Sequence, residues 1–468
     1  MLVISPYLLF GSFITLIGLY YLLPSKARWP VLFFFSSFLI LLYDGRLVSL
    51  LFVGLSIFIN YFAAFELGPE NKSPLRHSLL VAALAGNASV LFAFKVINSQ
   101  FSFAMPLGLS FYTFSQMAYL IDVYRGKLQP EQSLGVYAAY VSYFPKIIAG
   151  PIERAQSFLS QLKSHPGFDE ALFRSGLKTL LFGAFKKFVV VAVLYRLSLP
   201  VIAGYQQYTG LDVLLAIFFL AFYIYFEFSA YTDMAIGASR LLGIRLSENF
   251  STPYLSSSVG QFWRKWHMTL SHWFRDYLYI PLGGSRHGLL RQCLNLLVVF
   301  LAVGLWHGMT FAFAIWGLLH GLFLCAEAFA GRVLAGSISL RSKFQRLLFK
   351  AAGFIWAFTA ISVSWVFFFT AKPSAAISVF RRVFSEWHFP SGILNHLGST
   401  LGLERILLAF ALIAVVEAAH VMNRRGVTLF SGLPAWVRWP VYVAATWAIA
   451  LFALTEGQLG IGFIYAKF

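Results

Sequence analysis

Long runs of apolar residues alternate with short polar loops along nearly the whole chain. Because a helix needs about 20 apolar residues to cross a bilayer, this pattern predicts helices at 6–23, 30–43, 47–66, 78–97, 176–203, 211–230, 289–305, 308–330, 350–371, 404–422 and 437–454. These runs do not alternate between apolar and polar residues, as the strands of a membrane β-barrel would. The pattern therefore predicts an all-α polytopic membrane protein with roughly ten to twelve transmembrane helices.

Three further segments, 102–127, 140–156 and 240–288, contain too many charges, prolines or glycines to be simple spans. Broken or polar backbone at membrane depth survives only inside protein or against a water-filled cavity. We therefore expect these segments to form re-entrant and amphipathic helices that line an internal space.

Composition agrees with a membrane location. Of the 468 residues, 59% are hydrophobic and 12% are charged, whereas soluble domains have roughly 45–50% apolar and about 25% charged residues. A soluble protein could not cover so much apolar surface, so the excess must face lipid. No soluble domain or long linker is apparent, and residues 1–468 are predicted to form a single integral membrane domain.

The formal charge of the chain is +18. Basic residues occur in four short loops, which we predict to be cytosolic: 24–29, 67–77, 341–350 and 423–426. This distribution indicates contact with anionic membrane lipids and not with nucleic acid. Lys26 and Arg28 follow the first apolar run and no basic residue precedes it, so we expect a retained first helix whose N-terminus lies outside the cytosol.

The sequence predicts neither a bound metal nor a bound cofactor. Cys293 and Cys325 lie in apolar stretches without the spacing of a metal site or a disulfide framework. No phosphate-binding loop and no dinucleotide glycine motif is visible.

The segment FWRKWHMTLSHWFRDYLYIPLGGSR (262–286) combines aromatic and basic residues. Its large apolar residues recur at steps of three and four and would share one helical face: Trp263, Trp266, Leu270, Trp273 and Tyr277. This spacing predicts an amphipathic helix at the cytosolic interface, ended by Pro281 and by Gly283 and Gly284. Its basic side chains would hold either anionic lipid headgroups or the phosphates of an acyl-CoA.

His307 lies in a very apolar region, between Gly304 and Gly308. An ionisable group in such surroundings usually faces a bundle interior or a cavity, and the glycines leave room for a substrate or a neighbouring helix. The alternative is a neutral histidine bonded to a backbone carbonyl. His320 comes 13 residues later, about 220° around a helix. If 301–322 were one helix, the two histidines could not line the same cavity, so His320 is predicted to be structural or to line a second wall.

Two other groups of charged residues are open to more than one interpretation. Glu227 and Asp233 either bind each other's backbone or pair with Arg240. Lys146, Glu153 and Arg154 either form a local ion pair that ties a broken segment or contact an acceptor or a partner.

Several motifs resemble the membrane-bound O-acyltransferase (MBOAT) superfamily, in particular the bacterial branch that contains the membrane subunit of alginate O-acetylation. The resemblance rests first on 262–284 together with GLWHG (304–308). Four further strings add to it and extend it over essentially the whole chain: PLGLSFYTFSQMAYLIDVYRG (106–126), YFPKIIAGPIER (143–154), YFEFSAYTDMAIGASRLLGI (225–244) and GQLGIGFIYAKF (457–468).

The resemblance implies a ring of helices around a tunnel through the membrane. It also implies roles for two histidines: His307 matches the near-invariant histidine of the family, and His267 matches its second polar position. We expect His307 to be a general base or a transient acyl carrier, and His267 to orient it or to bind the thioester. The residues expected at a donor entrance are Arg264, Lys265, Arg275 and Trp306.

The resemblance further implies a bacterial inner-membrane enzyme that passes an acetyl group from a cytosolic thioester, with acetyl-CoA expected, to an exopolysaccharide of the alginate or cellulose type. Periplasmic or membrane-anchored acetyltransferase subunits would be its partners. Two alternatives remain open at this point. The first is an acyltransferase with a teichoic-acid or lipid acceptor. The second is a polytopic transporter or flippase, in which buried His, Glu and Asp would relay protons.

Overall fold

The computed structural model describes residues 6–101, 105–164, 167–335, 342–370, 372–387, 392–425 and 434–456. The closing motif GQLGIGFIYAKF (457–468) lies outside these residues. Within the described ranges the chain is mainly helical and contains no strand, which confirms the all-α prediction.

The helices are numbered in chain order. They are α1 (Pro6–Leu22), α2 (Arg28–Asp44), α3 (Leu47–Glu66), α4 (Arg76–Phe101), α5 (Leu109–Tyr124), α6 (Leu134–Ser142), α7 (Phe144–Ile147), α8 (Ala155–Ser164), α9 (Glu170–Phe185), α10 (Val191–Ala203), α11 (Gly210–Leu241), α12 (Val259–Trp263), α13 (Met268–Phe274), α14 (Gly288–His307), α15 (Phe311–Ala335), α16 (Lys343–Thr370), α17 (Pro373–Val383), α18 (Ile393–Thr400), α19 (Leu403–Arg424) and α20 (Ala435–Glu456).

The polytopic prediction is confirmed. Nine helices in the described part of the chain are long and apolar enough to cross a membrane, and they lie in α2, α3, α4, α11, α14, α15, α16, α19 and α20. A shorter apolar helix, Gly11–Leu22, precedes them. The predicted span at 176–203 is not one of the nine, and a π-helical turn at Lys186–Val190 separates α9 from α10.

Two helices show the two uses of apolar sequence in this protein. Helix α11 has 32 residues, mostly buried inside the protein, and about 48 Å of length at 1.5 Å per residue. Helix α20 instead exposes its large side chains, including Trp436 (77%), Trp439 (67%) and Trp447 (65%). In a membrane protein such a face contacts lipid.

The chain forms two compact units. The first consists of Met1–Leu180 and Thr232–Glu248, and the second of Leu181–Tyr231 and Asn249–Phe468. Helix α11 begins in the second unit and ends in the first. The single domain over 1–468 stays a prediction.

The first unit contains two of the segments that do not read as simple spans, and their backbone is broken as predicted. Helix α5 begins after Gly108, whose φ is 75°; a Cβ there would lie 2.5 Å from the Ile147 carbonyl oxygen, so only glycine fits. The segment 140–156 is divided among α6, α7 and the start of α8.

Lys146 and Glu153 are both buried in this first unit. Glu153 accepts hydrogen bonds from the Ser247 N–H at 2.5 Å and from the Ser247 hydroxyl at 3.0 Å. The Lys146 ammonium lies 3.8 Å from the centre of the Tyr140 ring. Burial lowers the pKa of Lys146 to about 7 and raises the pKa of Glu153. These contacts favour a structural role for Glu153, whose hydrogen bonds tie the broken segment to residue 247.

Candidate functional site

His267 lies at a break between two short helices of the second unit. Helix α12 ends at Trp263 and α13 begins at Met268, while His267 has φ 39° and ψ 55° in the left-handed region. The prediction of one amphipathic helix over this segment is therefore wrong. The cause is pairing with residues 249–251: the Ser251 N–H donates to the Lys265 carbonyl at 3.0 Å, and the Met268 N–H donates to the Asn249 carbonyl at 3.0 Å.

The predicted aromatic face also packs inside the protein and not on the membrane surface. Trp263, Trp266, Leu270 and Trp273 are all buried, with at most 7% of each exposed. Beyond α13 the chain forms a π-helical turn, Arg275–Tyr279, and then the glycine-containing turn that was predicted at 281–284. The tryptophans thus hold this broken segment in the core of the second unit.

The His267 ring is enclosed, with 1% of the residue exposed. The edge of the ring meets Phe228 of α11, at 4.8 Å between ring centres, and Nδ1 lies 3.1 Å from Asn249 Oδ1. Burial lowers the pKa of His267 to about 3, so the ring is neutral at physiological pH. A neutral imidazole can accept a proton or a hydrogen bond through one nitrogen.

His307 is the last residue of α14, and only 4% of it is exposed. Its ring lies against Trp306, Trp316 and Phe368, with ring centres 4.7, 5.1 and 5.1 Å away. Helix α15 begins at Phe311, so the predicted boundary between two helices at this point is confirmed. The structure therefore places a buried imidazole at the join of two membrane helices.

Trp306 contacts both histidines. Its ring centre is 6.3 Å from that of His267 and 4.7 Å from that of His307. Trp306 is 2% exposed, so it lies beside the predicted reaction centre and not at a surface entrance. The roles of these three residues stay predictions, but the contact of Trp306 with both histidines is a feature of the fold.

The glycines beside His307 serve contact between helices. A Cβ on Gly304 would collide with the Phe313 carbonyl of α15, and one on Gly317 of α15 would collide with the Phe300 carbonyl of α14. A Cβ on Gly308 would lie 2.5 Å from the Phe313 ring. The sequence left open whether these glycines make room for a substrate or for a neighbouring helix, and the structure shows the neighbouring helix.

His320 is held on both ring nitrogens. The Trp263 indole N–H donates to Nδ1 at 3.2 Å, and Nε2 lies 3.0 Å from the Ser364 hydroxyl. Since Nδ1 accepts, a neutral ring must carry its proton on Nε2 and donate it to Ser364. These bonds agree with the predicted structural role.

Three basic side chains act electrostatically on Lys265 near α12. Burial, together with the positive charges of Arg424, Arg264 and Lys350, lowers the pKa of Lys265, while Glu417 opposes the shift. We call Arg264, Lys265, Lys350 and Arg424 the cation cluster. Arg275, which was predicted to join Arg264 and Lys265, pairs with Asp276 at 2.7 Å.

Sequence reasoning missed two members of the cation cluster and one residue of the histidine site. Lys350 and Arg424 lie on α16 and α19, at loops that were predicted to be cytosolic because of their basic residues. The sequence therefore marked both positions as basic, but it gave no reason to place them near Lys265. Asn249, which contacts His267, lies 18 residues earlier in the chain and stands out by neither type nor spacing.

Glu227 does not pair with Arg240, which was one of the two alternatives left open for Glu227 and Asp233. Glu227 and Arg240 both lie on α11, 13 positions and therefore about 20 Å apart along the axis. Glu227 instead pairs with Lys187 at 2.6 Å, and Arg240 donates to the hydroxyls of Ser175 and Thr179.

No group of three or more His, Cys, Asp or Glu side chains that could hold a metal ion occurs in the described ranges.

Comparison with known proteins gives consistent matches. The sequence model of the MBOAT, membrane-bound O-acyltransferase family, matches residues 130–370. The probable alginate O-acetylase of Pseudomonas aeruginosa is 32% identical over 428 residues, which cover 87% of this chain and 80% of the relative. The peptidoglycan O-acetyltransferase of Helicobacter pylori is 32% identical over 77% of this chain and 76% of its own. The teichoic acid D-alanyltransferase of Bacillus subtilis is 28% identical over 48% and 59%.

Proposed function

Because the chain belongs to the membrane-bound O-acyltransferase family, we propose that this enzyme passes an acetyl group from a cytosolic thioester to hydroxyl groups of an exopolysaccharide, of the alginate or cellulose type. The relatives named as acetylating alginate and peptidoglycan support a polysaccharide acceptor. The bacterial inner membrane is the compartment in which a cytosolic donor and an external acceptor would meet. With acyltransferase membership established, the transporter or flippase alternative has no support.

The observation that carries the proposal is the pair of buried histidines on one indole, His267 and His307 beside Trp306. In acyl transfer the acceptor oxygen forms a bond to the thioester carbonyl carbon, and the carbon–sulfur bond breaks. The hydroxyl proton would pass to His307 as general base and then to the departing thiolate. Alternatively His307 carries the acetyl group transiently.

His267 would work as an uncharged partner in this scheme. Burial lowers its pKa to about 3, so at neutral pH it offers a lone pair and one N–H and not a positive charge. Such a group suits the roles of orienting His307 or binding the thioester. A site with aromatic walls also excludes water, which would otherwise hydrolyse the thioester.

The cation cluster supports a phosphorylated donor, with acetyl-CoA the expected one. Neighbouring basic side chains cost free energy through mutual repulsion unless an anion offsets it, and Glu417 offsets only part of the repulsion at Lys265. The phosphates of bound acetyl-CoA would offset this repulsion, most strongly at low salt. Anionic lipid headgroups would offset it when no donor is bound. CoA is charged and cannot cross lipid, so it would stay on the cytosolic side. Only the acetyl group would cross the membrane, through the tunnel that the family resemblance predicts. Periplasmic or membrane-anchored acetyltransferase subunits would complete the transfer.

The test is acetyl transfer by the purified protein in proteoliposomes with labelled acetyl-CoA and oligomers of mannuronate. We expect label on the sugar when periplasmic subunits are added, and release of free CoA in equal amount. Teichoic-acid labelling from a D-alanyl thioester on a carrier protein, with no transfer from acetyl-CoA, would overturn the acetyl proposal in favour of the D-alanyltransferase alternative. That alternative has its own support in the Bacillus subtilis relative.

A further inference from the structure

Asn249 is buried, with 1% exposed, beside the break that positions His267. Its backbone carbonyl accepts the Met268 N–H at 3.0 Å. Its side-chain oxygen Oδ1 accepts the Thr269 N–H at 3.2 Å and the Thr269 hydroxyl at 2.9 Å, and it lies 3.1 Å from His267 Nδ1. One asparagine thus binds the first two amides of α13 and the histidine that precedes them.

These contacts determine where the proton of the His267 ring lies. A backbone N–H only donates, so the Asn249 atom that faces Thr269 must be the amide oxygen and not the amide nitrogen. That same oxygen faces His267 Nδ1, and a carbonyl oxygen cannot donate. The 3.1 Å contact is therefore attractive only if Nδ1 carries the proton. In the neutral ring the lone pair is then on Nε2.

We propose that Asn249 is a positioning residue that fixes His267 as the Nδ1–H tautomer, so that Nε2 presents its lone pair to the reacting groups. This inference rests on the proposed function, since it assumes that His267 takes part in acyl transfer. Asn249 acts through His267 and is not itself placed against the substrate.

The backbone at His267 supports the same role. A non-glycine residue with positive φ, here 39°, costs of order 1–3 kcal/mol and persists where surrounding contacts hold it. The three hydrogen bonds from Met268 and Thr269 to Asn249 supply such contacts on the side of α13. Asn249 therefore sets both the backbone turn and the ring proton, and a test must separate these two effects.

The ring of His267 has uncharged neighbours on the elements packed against it. Phe228 faces it from α11 and Trp306 from α14. The ionisable groups next to these two residues in sequence are Glu227, which pairs with Lys187, and His307, which contacts Trp306. Glu248, beside Asn249 in the chain, is exposed. A carboxylate at position 249 would therefore be the charge in direct contact with the ring.

Asn249→Asp separates the two effects. An aspartate keeps an oxygen for the Thr269 amide, so the turn is retained, but its negative charge favours the protonated imidazole. An opposite charge at this distance raises a histidine pKa by about 1–3 units. Below the raised pKa Nε2 loses its lone pair, so in the pH–rate profile the rate of Asn249→Asp relative to wild type should fall as the pH is lowered from about 6 to about 4.

Asn249→Leu removes the oxygen without adding charge, and we expect kcat to fall about 10- to 100-fold, as when other orienting partners of functional histidines are lost. The matched control is Asn295→Leu. Asn295 is equally buried, in the same unit, but donates to the Gly284 carbonyl at 2.9 Å. This variant should lower the yield of folded protein and leave the pH profile of the folded fraction in place.

A second measurement identifies the tautomer of His267 without requiring enzyme turnover. In protein labelled with nitrogen-15 at histidine, with the His267 signals identified by their loss in His267→Asn, the shifts should show a protonated Nδ1 and an unprotonated Nε2. The opposite pattern overturns the inference, as does an Asn249→Asp profile that coincides with the wild type. If wild type does not transfer acetyl from acetyl-CoA, the proposed function fails while the nitrogen shifts still decide the tautomer.

Discussion

At the residue scale, the second unit contains buried histidines with different surroundings, and this difference predicts different results for their substitution. His307 is enclosed by the rings of Trp306, Trp316 and Phe368. We expect His307→Ala to lower the rate of acetyl transfer by about 10²- to 10⁴-fold, the range that a positioned general base contributes. His267→Ala should cause a large but incomplete loss. The measurement is a single-turnover rate at equal amounts of folded protein.

His320→Gln is the control for the effect of replacing a buried histidine. His320 uses both nitrogens in bonds to Trp263 and Ser364, so its replacement should lower thermal stability by about 1–3 kcal/mol, the cost of unsatisfied buried groups. The rate per folded molecule should stay within a few-fold of wild type. A His307→Ala enzyme with full activity, or a His320→Gln enzyme that is folded but inactive, would contradict the assignment of roles.

Reasoning from sequence singled out residues that are chemically unusual in their surroundings. An ionisable group in an apolar run, such as His307, is conspicuous in the sequence. His267 lies in a motif of distinctive composition. Asn249 could not be found in this way, because its importance comes from a backbone pairing between 249–251 and 265–268. Such non-local pairing has no periodic signal in the sequence.

At the element scale, close packing of α14 on α15 determines where His307 lies. Gly304 and Gly317 face each other's helix so closely that a Cβ on either would meet a backbone carbonyl. We therefore expect Gly304→Ala to separate the helices, lower the thermal midpoint and reduce acetyl transfer. Gly331 of α15 has open space around it, so Gly331→Ala should be neutral or stabilise by up to about 1 kcal/mol. Equal thermal shifts in the two variants would show that the contact is unimportant.

A second prediction at this scale concerns the cation cluster, which the ends of α16 and α19 complete. If the cluster binds the donor phosphates, Lys350→Gln and Arg424→Gln should each raise the KM for acetyl-CoA several-fold, weaken its dependence on salt and leave kcat nearly unchanged. Arg381→Gln on α17 removes the same charge elsewhere and should change neither constant. An unchanged KM in the cluster variants would favour lipid headgroups as the bound anions.

The elements also show why the segment at 262–286 was predicted as one helix. Steps of three and four between Trp263, Trp266, Leu270 and Trp273 are real, and all four side chains are buried. Periodicity reports which side chains share a buried environment, but it cannot report a reversal of the backbone between them. Here the left-handed turn at His267 divides the face between α12 and α13, and the His267 side chain at this turn is buried.

At the scale of the whole molecule, composition and apolar run length were sufficient for the all-α polytopic fold, because the bilayer admits few alternatives. The predicted boundaries of the spans at 47–66 and 404–422 agree with α3 (Leu47–Glu66) and α19 (Leu403–Arg424) within two residues. The division into two compact units had no counterpart in the sequence, because α11 contributes to both units and its sequence shows no linker.

The course of α16 and α19 predicts the sidedness of the second unit. Both helices are long enough to cross, and Lys350 near the start of α16 and Arg424 at the end of α19 belong to one cation cluster. The chain between them, with α17 and α18, must then lie at the opposite membrane surface. Since basic loops face the cytosol, single cysteines at 350 and 424 should react with an impermeant maleimide only from the cytosolic side, and one at Ser399 only from the external side. The background would carry Cys293→Ser and Cys325→Ser, with retained acetyl transfer by that background as the control. Labelling of positions 350 and 399 from the same side would exclude this path of the chain, and with it a cytosolic donor site at the cluster.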